Sequence, residues 1–152
     1  EMSVRDLINE IYTLNPEWGD GLEWDYLKEV VKLIKDRSKT ITEITSMSEI
    51  FFKDKLEYDI DLLNKTFNDK SIAIIKDFQS ALSLIEDWSR VEIEKIFEDI
   101  MEQHEVAIGQ VMKPVRVAIS GIPFGPGIFD LILLLGKEIC QIRLRHALSI
   151  IQ

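Results

Sequence analysis

The residues best suited to do chemistry lie in one stretch, from Arg116 to Phe129. The turn Gly125-Pro126-Gly127 bends the backbone and leaves it bare, so a flat group can approach it closely. Arg116 supplies a planar fork of hydrogen-bond donors for a base edge or a phosphate. Phe124 and Phe129 supply aromatic faces on which a base can stack. Bare backbone, arginine and aromatic rings are the parts that hold unpaired RNA bases splayed out of a loop.

Each of these residues also has a purely structural interpretation. Phe129 could belong to the core, and Arg116 could pair with a carboxylate. The amides of residues 127–129 should open a helix, and such an end attracts hydrogen-bond acceptors or phosphates. The pattern alone leaves both interpretations open.

Residues 115–137 could instead form a strand, a glycine loop and a helix, the order typical of nucleotide sites. The glycine spacing argues against this, because Gly121, Gly125 and Gly127 do not make a G-x-G-x-x-G pattern. No Gly-Lys-Ser/Thr sequence follows, so a phosphate-binding loop of the Walker type is also excluded. Gly136 follows an apolar helix pattern, where glycine ends one helix before the next begins.

The elements that must position this stretch are predicted to be helices. Ser3, Thr40, Asn68 and Ser89 are each followed by a residue typical of a capped helix start. Helices are predicted to start at Ser3 and Thr40, and to run from residues 20–23 to about 37, over 56–63, from 68 to 88, and from 89 to about 104. Residues 115–119 alternate like a strand, but a lone strand has no partner. We therefore predict an all-α fold.

The chain length and the distribution of apolar residues limit the class of protein. A chain of 152 residues forms one domain or two small abutting ones, with a boundary expected between residues 52 and 70. The longest apolar run, residues 128–135, contains Asp130 and is too short for a membrane span. The first residues lack the pattern of a signal peptide. We expect a cytoplasmic protein that does not bind membranes.

Cysteine and histidine usage favours no metal or redox chemistry. The one cysteine, Cys140, lies in a helix pattern and should be a buried structural thiol. The two histidines, His104 and His146, are too far apart for metal-ligand spacing.

The charge is unevenly spread along the chain. The net charge is −9, which argues against general coating of nucleic acid. Residues 110–152 nevertheless carry a net charge of +3, and residues 32–39 form a short basic island. An acidic protein with two basic patches is suited to bind a partner through a few localised contacts. The alternative is that these charges belong to solvated helix faces.

Several segments resemble the end of bacterial-type glutamyl-tRNA synthetases. That ending runs Pro-Leu-Arg-x-Ala-Leu-Thr-Gly, x-Pro-Gly-Leu-Phe-Glu, Leu-Leu-Gly-Lys-Glu and Arg-Leu. The matching segments here are 112–121 (MKPVRVAISG), 125–130 (GPGIFD), 133–138 (LLLGKE) and 143–148 (RLRHAL). Residues 31–52 and the helix after Trp88 are also similar to the family.

The resemblance implies a helical cage of two small abutting subdomains, residues 1–66 and 67–152, that reads the anticodon of tRNA-Glu. By position, Arg116 and the segment Gly125, Pro126, Gly127, Ile128 and Phe129 would contact the first two anticodon bases. Arg37 or a near neighbour would lie near the third base. Relatives often carry a polar or bulkier residue where this chain has Gly125. A side-chain contact there would be replaced by the backbone or lost.

The catalytic signatures of the family, His-Ile-Gly-His and Lys-Met-Ser-Lys-Ser, do not occur in the chain. We therefore expect a C-terminal fragment of a glutamate–tRNA ligase that binds RNA and is inactive alone. The resemblance assigns ATP and Mg²⁺ to the full-length enzyme and no cofactor to this fragment. The expected partners are tRNA-Glu and the missing catalytic domain, and the chain is expected to be a monomer.

Two questions stay open from the sequence. One is whether tRNA-Gln is also accepted, which the resemblance connects with the position of Arg37. The other is whether the chain is instead a non-catalytic helical protein-interaction module. In that case residues 128–135 and the Ile150-Ile151 pair would form its docking surface.

Overall fold

A computed structural model describes residues 3–53 and 56–151, and contains helices and turns but no strand in these two ranges. The all-α prediction is therefore confirmed, and residues 115–119 are helical. The chain divides between residues 53 and 54 into two compact units. This division falls within the 52–70 stretch where a boundary was expected. The subdomain boundary at residue 66 stays a prediction.

The first unit contains three α-helices and two short 3-10 turns. The helices are α1 (Val4–Leu14), α2 (Trp24–Ile34) and α3 (Ile41–Ser48), and the 3-10 turns are Lys35–Arg37 and Glu49–Phe51. The buried apolar residues lie at 3-4 spacing along the helices, as expected for amphipathic elements. They include Ile8, Ile11, Leu27, Val30, Val31, Ile34 and Ile44.

Helix starts in this unit follow the predicted capping residues. The Ser3 hydroxyl accepts the amide of Asp6 at 3.2 Å. The Thr40 hydroxyl accepts the amide of Glu43 at 3.1 Å. The Glu43 carboxylate reaches back to the amide of Lys39 at 2.6 Å. The first two bonds satisfy first-turn amides that have no intrahelical partner, and the third holds the residue before the N-cap of α3.

The two tryptophans beside the loop at residues 15–21 behave differently. Trp18 is buried, and its indole N–H donates to the Ser48 hydroxyl at 2.7 Å. Trp24, the first residue of α2, is 40% exposed. Trp18 therefore anchors this loop to α3, whereas Trp24 lies largely open to solvent.

The second unit contains six helices among its described residues. They are α4 (Ile60–Thr66), α5 (Asp69–Leu84), α6 (Arg90–His104), α7 (Ile108–Ser120), α8 (Ile128–Leu135) and α9 (Lys137–Ile151). The starts predicted at Asn68 and Ser89 are confirmed, because each side chain accepts an amide of its helix's first turn. Gly136 separates α8 from α9 with φ of +85°, as its position predicted.

The helix predicted over residues 56–63 begins later than expected. Asp59 caps it, because its carboxylate accepts the amide of Asp61 at 2.9 Å. The helix therefore starts at Ile60 and continues to Thr66. Leu56 is buried outside the helix, so its apolar character reflects packing and not helical periodicity.

Helix α7 is the centre of the second unit. It packs against α4, α5, α6, α8 and α9. Its buried residues include Val111, Val115, Ala118 and Ile119. The β-branched run that suggested a strand is therefore a helix buried on several sides, where tertiary packing overrides local propensity. Pro114 also lies inside this helix, at a buried position.

Arg143 is a core residue of the second unit and not part of a basic surface. It is fully buried, and its Nη1 donates to the carbonyl of Ile119 at 2.7 Å, at the end of α7. The Tyr58 hydroxyl lies within hydrogen-bonding distance of the carbonyls of Ala118 and Arg143. Burial raises the pKa of Tyr58, against the opposing effect of the Arg143 charge. The basic patch expected in residues 110–152 loses one charge as a result.

Candidate nucleic-acid interface

The connection between α7 and α8 is a loop held by hydrogen bonds to the end of α7. Helix α7 ends at Gly121, which adopts φ of +76°. The Ser120 hydroxyl lies 2.7 Å from the carbonyl of Arg116 and accepts the amide of Ile122 at 3.3 Å. The loop then passes through Gly125 and reaches α8, whose N-cap is Gly127.

Arg116 holds the Gly125-Pro126-Gly127 turn from α7. Its Nη1 donates to the carbonyl of Pro126 at 2.6 Å, and the side chain is half-buried. Gly125 has φ of +131°, and a Cβ there would lie 3.8 Å from Arg116 Nη1. Glycine therefore suits this position both because of its backbone conformation and because of the adjacent guanidinium.

The N-terminus of α8 already has a carboxylate close to it. A Cβ on Gly127 would lie 3.3 Å from Oδ2 of Asp130. Asp130, in the first turn of α8, satisfies the preference of a helix N-terminus for negative charge. This end of α8 is therefore a poorer phosphate site than its amides alone suggest, and the turn is better suited to a neutral base.

The two aromatic residues differ in accessibility. Phe124 is 65% exposed and offers an open ring. Phe129 is half-buried, packs edge-on against Phe97 with centroids 5.1 Å apart, and has the Arg90 guanidinium 5.3 Å from its ring centroid. A base stacking on the Arg90 side of Phe129 would have to displace that cation–π contact.

Pro126 and Ile128 are buried. Because their side chains face the protein interior, the part of the turn available to a ligand consists of backbone, Arg116 and Phe124. The structure brings together Arg116 and residues 125–129, as the sequence predicted. Whether these residues contact RNA stays a prediction.

Arg37 lies in the first unit, at the end of the 3-10 turn that follows α2. Its side chain is exposed. Its neighbours Lys35, Ser38 and Lys39 line a cavity of about 340 Å³ that also reaches Leu7 of α1. The basic island thus borders a concave surface, and the role of Arg37 in base recognition stays a prediction.

Arg90 was not among the sequence candidates, although it organises the surroundings of Phe129. Its Nε pairs with Glu94 at 2.8 Å and its Nη1 with Asp130 at 3.2 Å. The i, i+4 spacing of Arg90 and Glu94 was visible in the sequence. The contact with Asp130 joins α6 to α8 and had no local signal.

Other kinds of site find little support in the described part of the chain. Residues 3–53 and 56–151 contain no group of three metal-ligating side chains. Their helices include none long and apolar enough to cross a membrane. Cys140 is buried as predicted, and burial raises its pKa to about 12, against the opposing charge of Arg143. The thiol is therefore protonated at neutral pH and unsuited to act as a nucleophile.

Comparison with protein families decides the assignment of this helical fold. The model of the anticodon binding domain family matches residues 6–148. The chain belongs to the anticodon binding domain family. This membership agrees with the resemblance found in residues 112–148.

Relatives in this family include named ligases. A glutamate–tRNA ligase of Desulforudis audaxviator is 34% identical over 130 residues, which cover 84% of this chain and 26% of the relative. Glutamate–tRNA ligase 2 of Thermoanaerobacter pseudethanolicus is 31% identical over 135 residues, covering 88% of this chain and 28% of the relative. The chain therefore spans about a quarter of the length of these relatives.

A solved structure confirms the fold. The crystal structure of a glutamate tRNA ligase from Elizabethkingia meningosepticum superposes with a TM-score of 0.85 at 21% identity. The match covers 99% of this chain and 30% of that protein. At this identity the likeness concerns the fold.

Proposed function

We propose that this chain binds the anticodon loop of tRNA-Glu as the C-terminal part of a glutamate–tRNA ligase. The observation that carries the proposal is the hydrogen bond from Arg116 to the Gly125-Pro126-Gly127 turn. It occurs in a member of the anticodon binding domain family. The relatives described above are named glutamate–tRNA ligases. The match to about a quarter of their length supports the view that this chain corresponds to one part of such a ligase.

The turn would recognise bases through a few directed contacts. Arg116 brings a planar set of donors to a turn whose glycines leave the backbone approachable. Arginine–base contacts contribute about 1–3 kcal/mol of discrimination each, and stacking on an aromatic ring such as Phe124 contributes a similar amount. Two or three such contacts are enough to distinguish one anticodon from another.

The chemistry of the ligase would belong to the rest of the full-length protein. Glutamate activation with ATP and Mg²⁺ is assigned to that part, and this chain would bind RNA without catalysing a reaction. Arg37 would lie near the third anticodon base and influence whether tRNA-Gln is accepted. The chain would work in the cytoplasm, as a monomer attached to its catalytic domain.

The alternative of a protein-interaction module is less well supported. Its docking surface was to be residues 128–135 and the Ile150-Ile151 pair. Ile128, Leu131, Ile132 and Leu135 are buried, and Ile150 is 38% exposed. Helix α8 packs against α6, α7 and α9 in the same unit. Its apolar residues are therefore used within the fold, and this argues against a docking helix.

The proposal can be tested by titrating ¹⁵N-labelled protein with a tRNA-Glu anticodon stem-loop. The expected result is a set of amide shifts at residues 125–129, with tighter binding than for a stem-loop in which the first two anticodon bases are exchanged. A third stem-loop with the tRNA-Gln anticodon tests the third base, with Arg37→Ala as the paired variant. Equal binding of the cognate and exchanged loops would overturn the proposed function.

A further inference from the structure

Asp130 lies beside the candidate base-binding turn, and its carboxylate is accessible. A Cβ on Gly127 would lie 3.3 Å from its Oδ2, and the side chain is 49% exposed. Its Oδ1 pairs with Arg90 at 3.2 Å. No residue in the described ranges 3–53 and 56–151 donates a hydrogen bond to Oδ2. The carboxylate therefore has one oxygen in use and one available to a ligand at the turn.

Arg90 restricts the position of this carboxylate. Its guanidinium is shared between two acidic side chains, with Nε 2.8 Å from Glu94 and Nη1 3.2 Å from Asp130. The same guanidinium lies 5.3 Å from the ring centroid of Phe129. Because the arginine fork is planar and rigid, a carboxylate bonded to it has fewer orientations. Holding Asp130 in this way lowers the entropy cost of a contact with a ligand.

The turn thus has a hydrogen-bond donor near one end and an acceptor near the other. Nη1 of Arg116 would lie 3.8 Å from a Cβ on Gly125, and a guanidinium only donates. The ionised carboxylate of Asp130, beside Gly127, only accepts. The two glycines are two residues apart, a span of at most about 7 Å. This span is short enough for one base to meet both groups.

An acceptor at this place distinguishes uracil from cytosine. The Watson–Crick edge of uracil has one donor, N3–H, between two carbonyl oxygens, whereas N3 of cytosine is itself an acceptor. A carboxylate opposite N3 therefore binds uracil and repels cytosine, because in the second case two acceptors face each other. The carbonyl oxygens beside N3–H are suited to the donors of Arg116.

The genetic code decides which anticodon base fits such a group. Glutamate codons end in A or G, so the first anticodon base is U or C. A carboxylate opposite N3 of that base would reject C. The second codon position is always A, so the second anticodon base is always U. Asp130 is therefore suited to the second base.

We propose that Asp130 is a specificity-determining residue of the turn: its carboxylate accepts N3–H of the uridine at the second anticodon base and rejects cytidine there. The proposal rests on the proposed function for the RNA that is bound. It identifies a group that separates glutamate anticodons from glycine anticodons, since those with U or C as the first base differ from their glutamate counterparts only at the second.

The first test compares two charge-neutralising variants of the whole chain, titrated with stem-loops that carry U or C at the second anticodon base. The unsubstituted chain should prefer U by at least about tenfold. Asp130→Asn should bring the ratio of the two affinities close to one, because a carboxamide offers either a donor or an acceptor. The ratio is unaffected by net charge, which acts equally on both loops.

Glu94→Gln is the matched control for this test. It removes the same charge and the other carboxylate partner of Arg90, but from α6. The control should keep the preference for U. An unchanged ratio in Asp130→Asn, or an equal fall in Glu94→Gln, would contradict the proposal.

The second test observes the N3 proton itself. A stem-loop with ¹⁵N-labelled uridine at the second anticodon base should show an imino resonance protected from exchange with water when it is bound to the unsubstituted chain or to Glu94→Gln. Asp130→Ala should remove this protection at a protein concentration that saturates the RNA. No protected resonance in the unsubstituted complex, or one that persists in Asp130→Ala, would overturn the proposal.

The two proposals fail in different ways. Equal binding of cognate and exchanged loops by the unsubstituted chain would overturn the proposed function, and the role of Asp130 with it. A preference for the cognate loop that is equally strong in Asp130→Asn would overturn the role of Asp130 alone.

Discussion

Arg116 bonds to the candidate turn, and under the proposed function it would also contact a base there. Its bond to the carbonyl of Pro126 fixes the backbone of the turn. The same bond brings the guanidinium to the place where a base would approach. A substitution therefore removes a donor and loosens the turn together, so its effect on binding exceeds that of an ordinary surface arginine.

Arg116→Ala is expected to weaken binding of a tRNA-Glu anticodon stem-loop by about 1–3 kcal/mol. The measurement is a titration by calorimetry at fixed salt. Arg145→Ala is the control, because it removes the same charge from an exposed position on α9. If both variants lose the same affinity, the effect is one of net charge and the role assigned to Arg116 is wrong.

Burial of Cys140 and Tyr58 predicts a fall in stability at alkaline pH. The pKa of the thiol rises from 9.0 to about 12, and burial also raises the pKa of Tyr58 above its ordinary 10.0. Below pH 9 both groups are protonated in the folded and unfolded chain, and their contribution is constant. Above it the unfolded chain releases protons that the folded chain keeps, so stability falls by about 1.4 kcal/mol per pH unit for each proton.

This pH dependence can be measured by urea denaturation between pH 7 and 11. Cys140→Ala should be less stable at pH 7 because it leaves a cavity. It should also show a shallower decline between pH 9 and 10, before Tyr58 contributes. A decline in this interval that is identical to that of the unsubstituted chain would show that the thiol titrates normally.

At the scale of elements, the α7–α8 connection depends on one glycine conformation. Gly125→Ala is expected to cost more than about 1 kcal/mol of unfolding free energy, because alanine is strained at φ of +131°. Gly109→Ala is the matched control: it lies in the first turn of α7 and its Cβ would meet nothing within 4 Å. This control should stabilise the chain by about 0.4–1 kcal/mol. Urea denaturation of both variants tests the contrast, which disappears if the turn tolerates a side chain.

Local sequence signals were enough to place most helices. Ser3, Thr40, Asn68 and Ser89 cap the helices that they were predicted to cap. Such signals work because the N-cap side chain and its amide partner are only three residues apart. The start of α4 was misplaced because the apolar Leu56 looked like a helix residue, while Asp59 is the cap.

Contacts between distant residues could not be predicted from the sequence. Nothing local connects Arg143 with the carbonyl of Ile119, or Arg90 with Asp130. The family resemblance assigned Arg116 and residues 125–129 to the same candidate site. It could not show that Arg116 is hydrogen-bonded to the turn, since a basic residue between apolar pairs fits a surface position equally well.

For the whole molecule, the net charge of −9 limits how RNA can be bound. A predominantly acidic chain repels a polyanion over most of its surface. Under the proposed function, binding would therefore depend on a few base contacts and few neutralised phosphates. Burial of Arg143 reduces the number of available cations further.

A shallow salt dependence of RNA binding follows from this charge distribution. For one to three neutralised phosphates, the slope of log K against log salt should be about −0.7 to −2. Affinity for the anticodon stem-loop should be measured between 50 and 300 mM salt. A steep slope would indicate that many phosphates are contacted and that base contacts contribute little to affinity.

The buried bond from Arg143 to the end of α7 has a consequence for synthesis on the ribosome. Chains emerge from their amino end at about 5–20 residues per second. Helix α7 therefore leaves the ribosome before the residue that binds its Ile119 carbonyl. During this interval the end of α7 and the turn beyond it lack their final support. The end of α7 therefore reaches its final packing only after α9 has emerged and Arg143 can bond to the Ile119 carbonyl.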